Sequence, residues 1–381
     1  MPRAPSLPTL FVKTRLPMPT SSRLSPATEP LTNPPTLRTA TLCLRYRAEG
    51  RVHLPSPPAH VWRGQLGYYL HRLASEAEHE QDLSLYQRLF RTPRSAVGVP
   101  DYDGRLLGAL GLAGQHVPHP FVVRHAKPEA PATDRRLQPG AETVVEMRLL
   151  GAALRHLPPL TALFETFGAD GLGRRVEQRG GQKARGPVTL VEATLAMGPV
   201  TLSLYDGTEW TLPPTCGPEL YEQAAAMAPA PDAASDAVPE NREALSLTFR
   251  TPTRLRHAGD LVRPNPLDAD ALAPTLYRRV AGLAVCYAPG DHEETTLQEW
   301  QDGFKALGAP TTLATGDVEW VTDRRYSNRQ ERRVPAGGLV GTVRLAAPPE
   351  ALRTWARWLR QAETLHLGGG TAMGLGRLQM D

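Results

Sequence analysis

Apolar residues recur every three or four positions in four stretches of this chain, and they alternate or cluster in the segments between. AHVWRGQLGYYLHRLASEAEH sets Leu66, Tyr69, Leu70 and Leu73 at helical spacing after the breaker PSPP. LTALFETFGADGLG reads as a helix that ends at a glycine, and DADALAPTLYRRVAGLAVCYA and PEALRTWARWLRQAETL as two more. The segment TLRTATLCLRYRAEGRVHL predicts an extended strand pair, with partial alternation around Leu42, Leu44 and Tyr46. TVVEMRLLGAAL, GPVTLVEATLAMGPVTLSLYDG and ALSLTFRTPTRLR predict further strands. VEWVTDRRYSNRQERRVPAGGLVGTVRLA predicts two strands around an Arg-rich turn, and the chain finishes in a glycine-rich lead to a last strand.

Pro, Ser and Thr without periodicity predict a disordered tail over residues 1–36. The Ala/Pro/Asp-rich stretch 224–243 holds few core residues and predicts a linker, so the expected domains are 37–223 and 244–381. The second half runs strand, helix, strand, strand, helix, strand, the split β-α-β order of a ferredoxin-like domain. The first half is compatible with the same plan, plus insertions in the Gly- and Pro-rich section from Arg91 to about Gly140. The expected class is therefore α+β, with tandem ferredoxin-like β-α-β-β-α-β domains.

Composition narrows the picture less. With 41% hydrophobic and 22% charged residues, the chain is an ordinary globular sequence long enough for two cores. No run approaches the roughly 18 apolar residues of a spanning helix, and the proline-broken first residues lack a signal-peptide core. Cys43, Cys216 and Cys286 are unclustered, which fits a reducing cytoplasm and offers neither a disulfide framework nor a zinc knuckle. Net charge is +4, and only Lys13, Lys127, Lys183 and Lys305 are lysines. An Arg-dominated surface suits phosphate and base recognition, although GC-rich codon usage explains the same bias equally well.

Four segments together carry a resemblance. LHLGGGTAMGLGRLQM resembles a glycine-rich loop, and RRYSNRQERRVPAGGLVGTVRL an Arg-rich hairpin followed by G-x-V-G. SLTFRTPTRLR resembles the strand that opens a second domain, and HLPSPPAHVWRGQLGYYLHRL a first strand leading into an R-G helix. In order and spacing they resemble the CRISPR-associated pre-crRNA-processing endoribonucleases of the RAMP superfamily, over nearly everything after residue 37. The resemblance implies a cytoplasmic, metal-independent endoribonuclease with no cofactor. Its partners would be CRISPR repeat RNA, as pre-crRNA and crRNA, and other effector subunits, with no membrane.

The resemblance also implies a chemistry and a set of residues. The RNA 2′-OH attacks the adjacent phosphate, leaving a 2′,3′-cyclic phosphate and a 5′-OH, while the protein aligns the attack and moves protons. His79, just beyond the first helix, is the expected catalyst, His71 on the helix the second choice and His60 the third. Tyr68 or Tyr69 would assist, because Gly67 stands where relatives often carry a tyrosine. Arg88, Arg91 or Arg94 would hold the phosphate, since no lysine lies between Lys13 and Lys127. Arg63, Arg174, Arg175, Arg324, Arg325, Tyr326, Arg329, Arg332 and Arg333 are expected RNA contacts. Gly368, Gly369, Gly370, Gly374, Gly376 and Arg377 complete that set, with His366 where the first glycine often lies.

Each feature has a plainer reading beside it. A surface or half-buried histidine, a solvated charged turn and a ligand-free bulge account for His79 or His71, the Arg-rich run and the glycine loop respectively. The loop also mimics a dinucleotide fingerprint, but the helix that fingerprint requires does not follow. His116, His119 and His125 offer a zinc alternative with no assigned general base. A non-catalytic crRNA-binding subunit on the same fold is the main functional rival.

Overall fold

Leu42, Leu44 and Tyr46 point into a core from β1 (Thr39–Ala48), which the computed structural model places at the centre of a five-stranded antiparallel sheet. The structure describes residues 34, 35, 37–76, 83–96, 108, 110, 116–126, 134–168, 170–178, 180–227, 243–265, 267–288, 294–327 and 332–381. After β1 come β2 (Val52–Leu54), α1 (Ala59–Glu76), β3 (Phe121–His125), β4 (Arg135–Leu137) and β5 (Glu142–Leu150). They are followed by α2 (Leu157–Thr166), β6 (Leu172–Glu177), β7 (Lys183–Gly186), β8 (Val188–Met197), β9 (Val200–Tyr205) and α3 (Pro218–Met227). The sheet order is β3-β5-β1-β8-β9. Without β9, that is second, third, first and fourth strand of a β-α-β-β-α-β unit, a ferredoxin-like sheet.

The expected pairing of β1 with the next extended segment does not occur. Both edges of β1 are taken, by β5 and β8. β2 instead joins a second sheet of order β4-β2-β6-β7. α1 covers the main sheet with Trp62, Leu66, Tyr69 and Leu70, each at most 6% exposed, whereas Leu73 projects into solvent. α3 continues to Met227, into the stretch expected as linker, because Ala224 packs with Leu220 and Tyr221 in this core.

The second half contains β10 (Ala244–Thr253), β11 (Arg256–His257), β12 (Asp260–Leu261), α4 (Ala269–Tyr287), α5 (Glu294–Gly308), β13 (Thr312–Thr315) and β14 (Glu319–Val321). β15 (Arg324–Ser327), β16 (Arg332–Pro335), β17 (Gly338–Ala346), α6 (Pro349–Leu365) and β18 (Leu378–Met380) complete it. The order β13-β17-β10-β18 repeats the ferredoxin-like arrangement. Its second strand is β13, not the expected VEWV segment, which forms the shorter β14 farther along β17. The Arg-rich turn becomes a separate two-stranded ladder, β15 with β16.

α4 and α6 carry the second core. Asp268 caps α4 by accepting from the Ala271 N–H at 2.9 Å. α6 buries Trp355 and Trp358 completely; Trp355 Nε1 donates to Thr311 Oγ1, and Trp358 meets Phe304 of α5 edge to face at 4.5 Å. Among the described residues, no helix is long and apolar enough to cross a membrane.

The glycine-rich segment after α6 joins the two halves. Its tight turn Thr371–Met373 lies against β3 and α1. Tyr287 at the end of α4 donates its hydroxyl to Pro118 O, and Arg148 of β5 reaches Thr364 O. Arg279 of α4 donates to the carbonyls of Leu365 and His366.

Candidate functional site

Arg63, Gly67 and His71 follow one another at four-residue intervals, so they form one stripe along α1. A π-helical turn, Gln87–Arg91, lies across this stripe. Its Phe90 ring rests against the helix backbone at Gly67, where an added Cβ would stand 2.8 Å from Cε1. The Arg63 guanidinium lies 4.7 Å above the same ring.

From Phe90 an aromatic series runs both ways. Toward the end of α1, Phe90 stacks on Tyr86 at 5.7 Å, and Tyr86 receives the edge of His71 at 5.1 Å. In the other direction Phe90 meets Phe121 at 5.2 Å, and Phe121 stacks on His119 at 5.8 Å. These rings fix the side chains of a π-helical turn that flanking charges alone would leave loose.

Arg63 Nη2 donates to His119 Nε2 at 3.3 Å. A guanidinium has no acceptor, so the imidazole proton sits on Nδ1, which is buried with no hydrogen-bond partner among the described residues. Burial, followed by the charges of Arg63, Arg279 and His116, pushes the His119 pKa down to about 3. His119 is thus a neutral acceptor that steadies the Arg63 cation, with its own N–H buried.

His71 and Tyr68 project from the exposed side of α1, three residues apart and so neighbours on its surface. Tyr68 packs edge to face on Tyr69 at 5.5 Å. Tyr69 is structural: its buried hydroxyl donates to Asp170 Oδ2 at 2.7 Å, and burial with the Asp170 contact raises its pKa to about 12. His60 is half-buried in the first turn of α1. His79 lies outside the described residues.

The expected phosphate contacts fall in separate places. Arg88 Nε donates to Leu83 O at 2.9 Å beside the aromatic series. Arg174 and Arg175 lie exposed on β6, and Arg174 Nη1 reaches Asp134 Oδ2 at 3.1 Å. Asp134, although partly desolvated, also accepts from the Ser56 N–H and meets His53, which together hold its carboxyl below the usual range. In the Arg-rich ladder, Arg324 faces Pro335, Arg325 faces Val334, Tyr326 faces Arg333, and Ser327 faces Arg332. Arg324 and Arg332 are exposed, and Arg329 lies outside the described residues.

The glycine loop is built largely for the protein's own backbone. At Gly376, φ is 74° and a Cβ would stand 1.8 Å from Leu367 O, so only glycine fits. The N–H groups of Gly369 and Gly376 already donate to Arg254 O and Pro252 O, and that of Arg377 to Thr251 Oγ1. Gly368 packs on the carbonyl of Arg254, and Gly374 against Ala59 and Val123 O. Gly370 closes on Leu375, whereas Gly369 has ordinary clearance around its Cα. His366 stands at φ 57°, ψ 159°, a region glycine favours, held by Nδ1 donating to Leu375 O at 3.1 Å.

His116, His119 and His125 do not form the cluster that the zinc alternative requires. His125 sits at the far end of β3, and no group of three or more His, Cys, Asp or Glu among the described residues is placed to hold a metal ion. The His125 ring contacts Thr143 Oγ1 at 2.7 Å and Arg135. Sequence reasoning missed Phe90 and Tyr86 as site residues and weighed His119 only as a zinc ligand. The only signal of Phe90 and Tyr86 was the apolar and aromatic residues of SLYQRLF, just before the Gly- and Pro-rich section.

Residues 37–213 match a family described as an N-terminal domain, and residues 247–378 match the CRISPR-associated endoribonuclease Cas6 family. No curated protein matches the sequence. Among solved structures, one Cas6 product complex is similar with a TM-score of 0.46 and 15% identity, covering 90% of this chain and 100% of that one. A second gives 0.40 and 19%, covering 91% and 100%. Thermus thermophilus Cas6 gives 0.42 and 15%, covering 91% and 99%. The Cas6 family model thus spans the second ferredoxin-like unit, and the first unit repeats the same sheet order.

Proposed function

We propose that the chain is a metal-independent endoribonuclease that binds CRISPR repeat hairpin RNA and cleaves pre-crRNA by attack of the 2′-OH. The products are a 2′,3′-cyclic phosphate and a 5′-OH, and the crRNA stays bound, through contacts in which the exposed Arg324 and Arg332 take part. The reaction needs alignment and proton transfer, which histidine performs near neutral pH. His79, three residues past the end of α1, is the first catalyst, and exposed His71 with Tyr68 beside it is the second. Arg63, steadied by neutral His119, supplies a fixed cation for the charge that develops on the phosphorane.

The observation that carries this reading is the match of residues 247–378 to the Cas6 endoribonuclease family, joined to an α1 that presents His71 and Tyr68 to solvent. A non-catalytic crRNA-binding subunit is the second reading. It is favoured by Phe90, whose ring fills the space beside Gly67 where relatives often carry a tyrosine.

Separate His79→Ala and His71→Ala variants, assayed for cleavage and for binding of a cognate repeat RNA, decide between them. Loss of cutting by about 100-fold or more in one variant, with binding kept, identifies the catalyst. Equal, wild-type cutting by both variants removes these histidines from the mechanism. Tight binding by the unmodified chain without any cutting establishes the subunit reading.

A further inference from the structure

Four arginines line a cavity of about 550 Å³ beside the glycine loop. Arg254 and Arg256 come from the segment after β10, and Arg278 and Arg279 from α4. Gly368–Gly370 form one wall, and Pro118 brings the first half of the chain to the rim. The volume lies within the range that encloses a small organic ligand.

The charge in this cavity is unusual for the molecule. On the open face of the first sheet, arginines are neutralised by carboxylates: Arg45 meets Glu142 and Glu192, and Arg124 meets Glu146. Around the cavity, no lining residue is acidic. Each guanidinium is steadied by a main-chain carbonyl instead. Arg254 Nη1 donates to Pro335 O at 3.0 Å, Arg278 Nε to Pro274 O at 3.1 Å and Arg279 Nη2 to Leu365 O at 2.6 Å. Arg256 Nη1 reaches Gly259 O. A carbonyl takes one N–H of five and leaves the cationic charge in place. Desolvation, with the Arg256 charge as a second cause, lowers the Arg254 pKa, and burial lowers that of Arg279 to about 10.

Leu110, Pro118, Met373 and Leu375 supply apolar wall between these cations. An anion alone would need no such surface, and an apolar ligand would leave four cations unmatched. A phosphate joined to a ribose and a base satisfies both halves. Pro118, the chain neighbour of His119, lines the cavity.

We infer that this cavity binds one phosphorylated ribonucleotide, with Arg254, Arg256, Arg278 and Arg279 around its phosphate and the apolar wall against its base or ribose. The nucleotide is either one unit of the bound RNA or a free mononucleotide. The first source rests on the endoribonuclease reading above; the second does not.

The test uses the full chain and the double variant Arg256→Gln/Arg278→Gln. Both residues are exposed, so the fold, which Arg279 helps to join, is left intact. Lys305→Gln/Arg353→Gln removes the same charge from α5 and α6 and serves as the control. The probes are repeat RNA, titrated across a salt series, and adenosine 5′-monophosphate, followed by calorimetry.

If the nucleotide belongs to the RNA, the double variant loses about tenfold in RNA affinity, and its salt slope falls by about 1, while the control keeps both. If it is free, the monophosphate binds the wild type and not the double variant, and RNA affinity is unchanged. Equal RNA affinity, equal salt slope and equal monophosphate binding in variant and wild type overturn the inference. A wild-type chain that binds no RNA refutes the proposed function, and the monophosphate titration then decides the cavity alone.

Discussion

A Cβ at position 67 would lie 2.8 Å from Cε1 of Phe90, so Gly67 and the Phe90 ring share one space on the surface of α1. The ring cannot swing away easily, because Tyr86, Phe121 and the Arg63 guanidinium hold it from other sides. This contact fixes the π-helical turn to the helix that presents His71.

Two glycines of α1 should therefore respond oppositely to alanine. Gly64 has nothing within 4 Å of its added Cβ. Gly64→Ala should stabilise by about 0.5–1 kcal/mol through helix propensity. Gly67→Ala gains the same propensity but overpacks Phe90, for a net loss of about 1 kcal/mol. Urea unfolding of both variants measures the difference, and equal stabilisation would remove Phe90 from the account of this helix.

The glycine loop gives a sharper contrast. Gly376→Ala meets Leu367 O at 1.8 Å and a φ of 74°, and should cost about 3 kcal/mol or more. Gly369→Ala meets nothing closer than 3.7 Å and should leave stability within about 0.5 kcal/mol. A loss of RNA affinity in Gly369→Ala without a loss of stability would separate RNA contact from loop architecture.

Acid should destabilise the fold before carboxylates titrate. Burial lowers the pKa of His119 to about 3 and of His156 to about 4, and places that of His366 well below its ordinary value. Below the unfolded value of about 6.5, the unfolded chain binds protons that the folded chain refuses. Stability therefore falls as pH drops from about 6.5, by up to about 4 kcal/mol per pH unit near pH 5. Urea midpoints at pH 7.5, 6 and 5 give the slope. A flat profile over that range would mean that these three imidazoles are not buried neutral.

Exposed Arg324 and Arg332 flank the Arg-rich ladder, and phosphate contacts there should be additive in salt dependence. Replacing either by Ala should weaken repeat RNA binding at every sequence tested and lower the salt slope by about 1. Filter binding at several salt concentrations reads both quantities.

The helices and the main strands were legible because each buries one face and so imposes its period on the sequence. α6 shows this well: Leu352, Trp355, Leu359 and Ala362 lie on one buried stripe. The 312–315 strand was not legible, since its four residues are mostly exposed and it is recruited by pairing with β17. α5 was missed because it packs through only a few large residues, among them Leu297, Phe304 and Leu307.

At the site, His71, Tyr68 and Arg63 could be named through the resemblance carried by their helix. The contact that joins Arg63 to His119 spans 56 positions of chain, and the arginine cavity unites residues from both halves. No local spacing records either. The glycines were visible, but the carbonyls that demand them, such as Leu367 O behind Gly376, become evident only in three dimensions.

The most direct test of the endoribonuclease reading is cleavage of a labelled cognate repeat RNA in EDTA, with single 2′-deoxy substitutions at each candidate site. The account predicts cutting of the all-ribo RNA, abolished by one substitution, with a 2′,3′-cyclic phosphate on the upstream product. Cutting that requires added metal, or that survives every 2′-deoxy substitution, would contradict it.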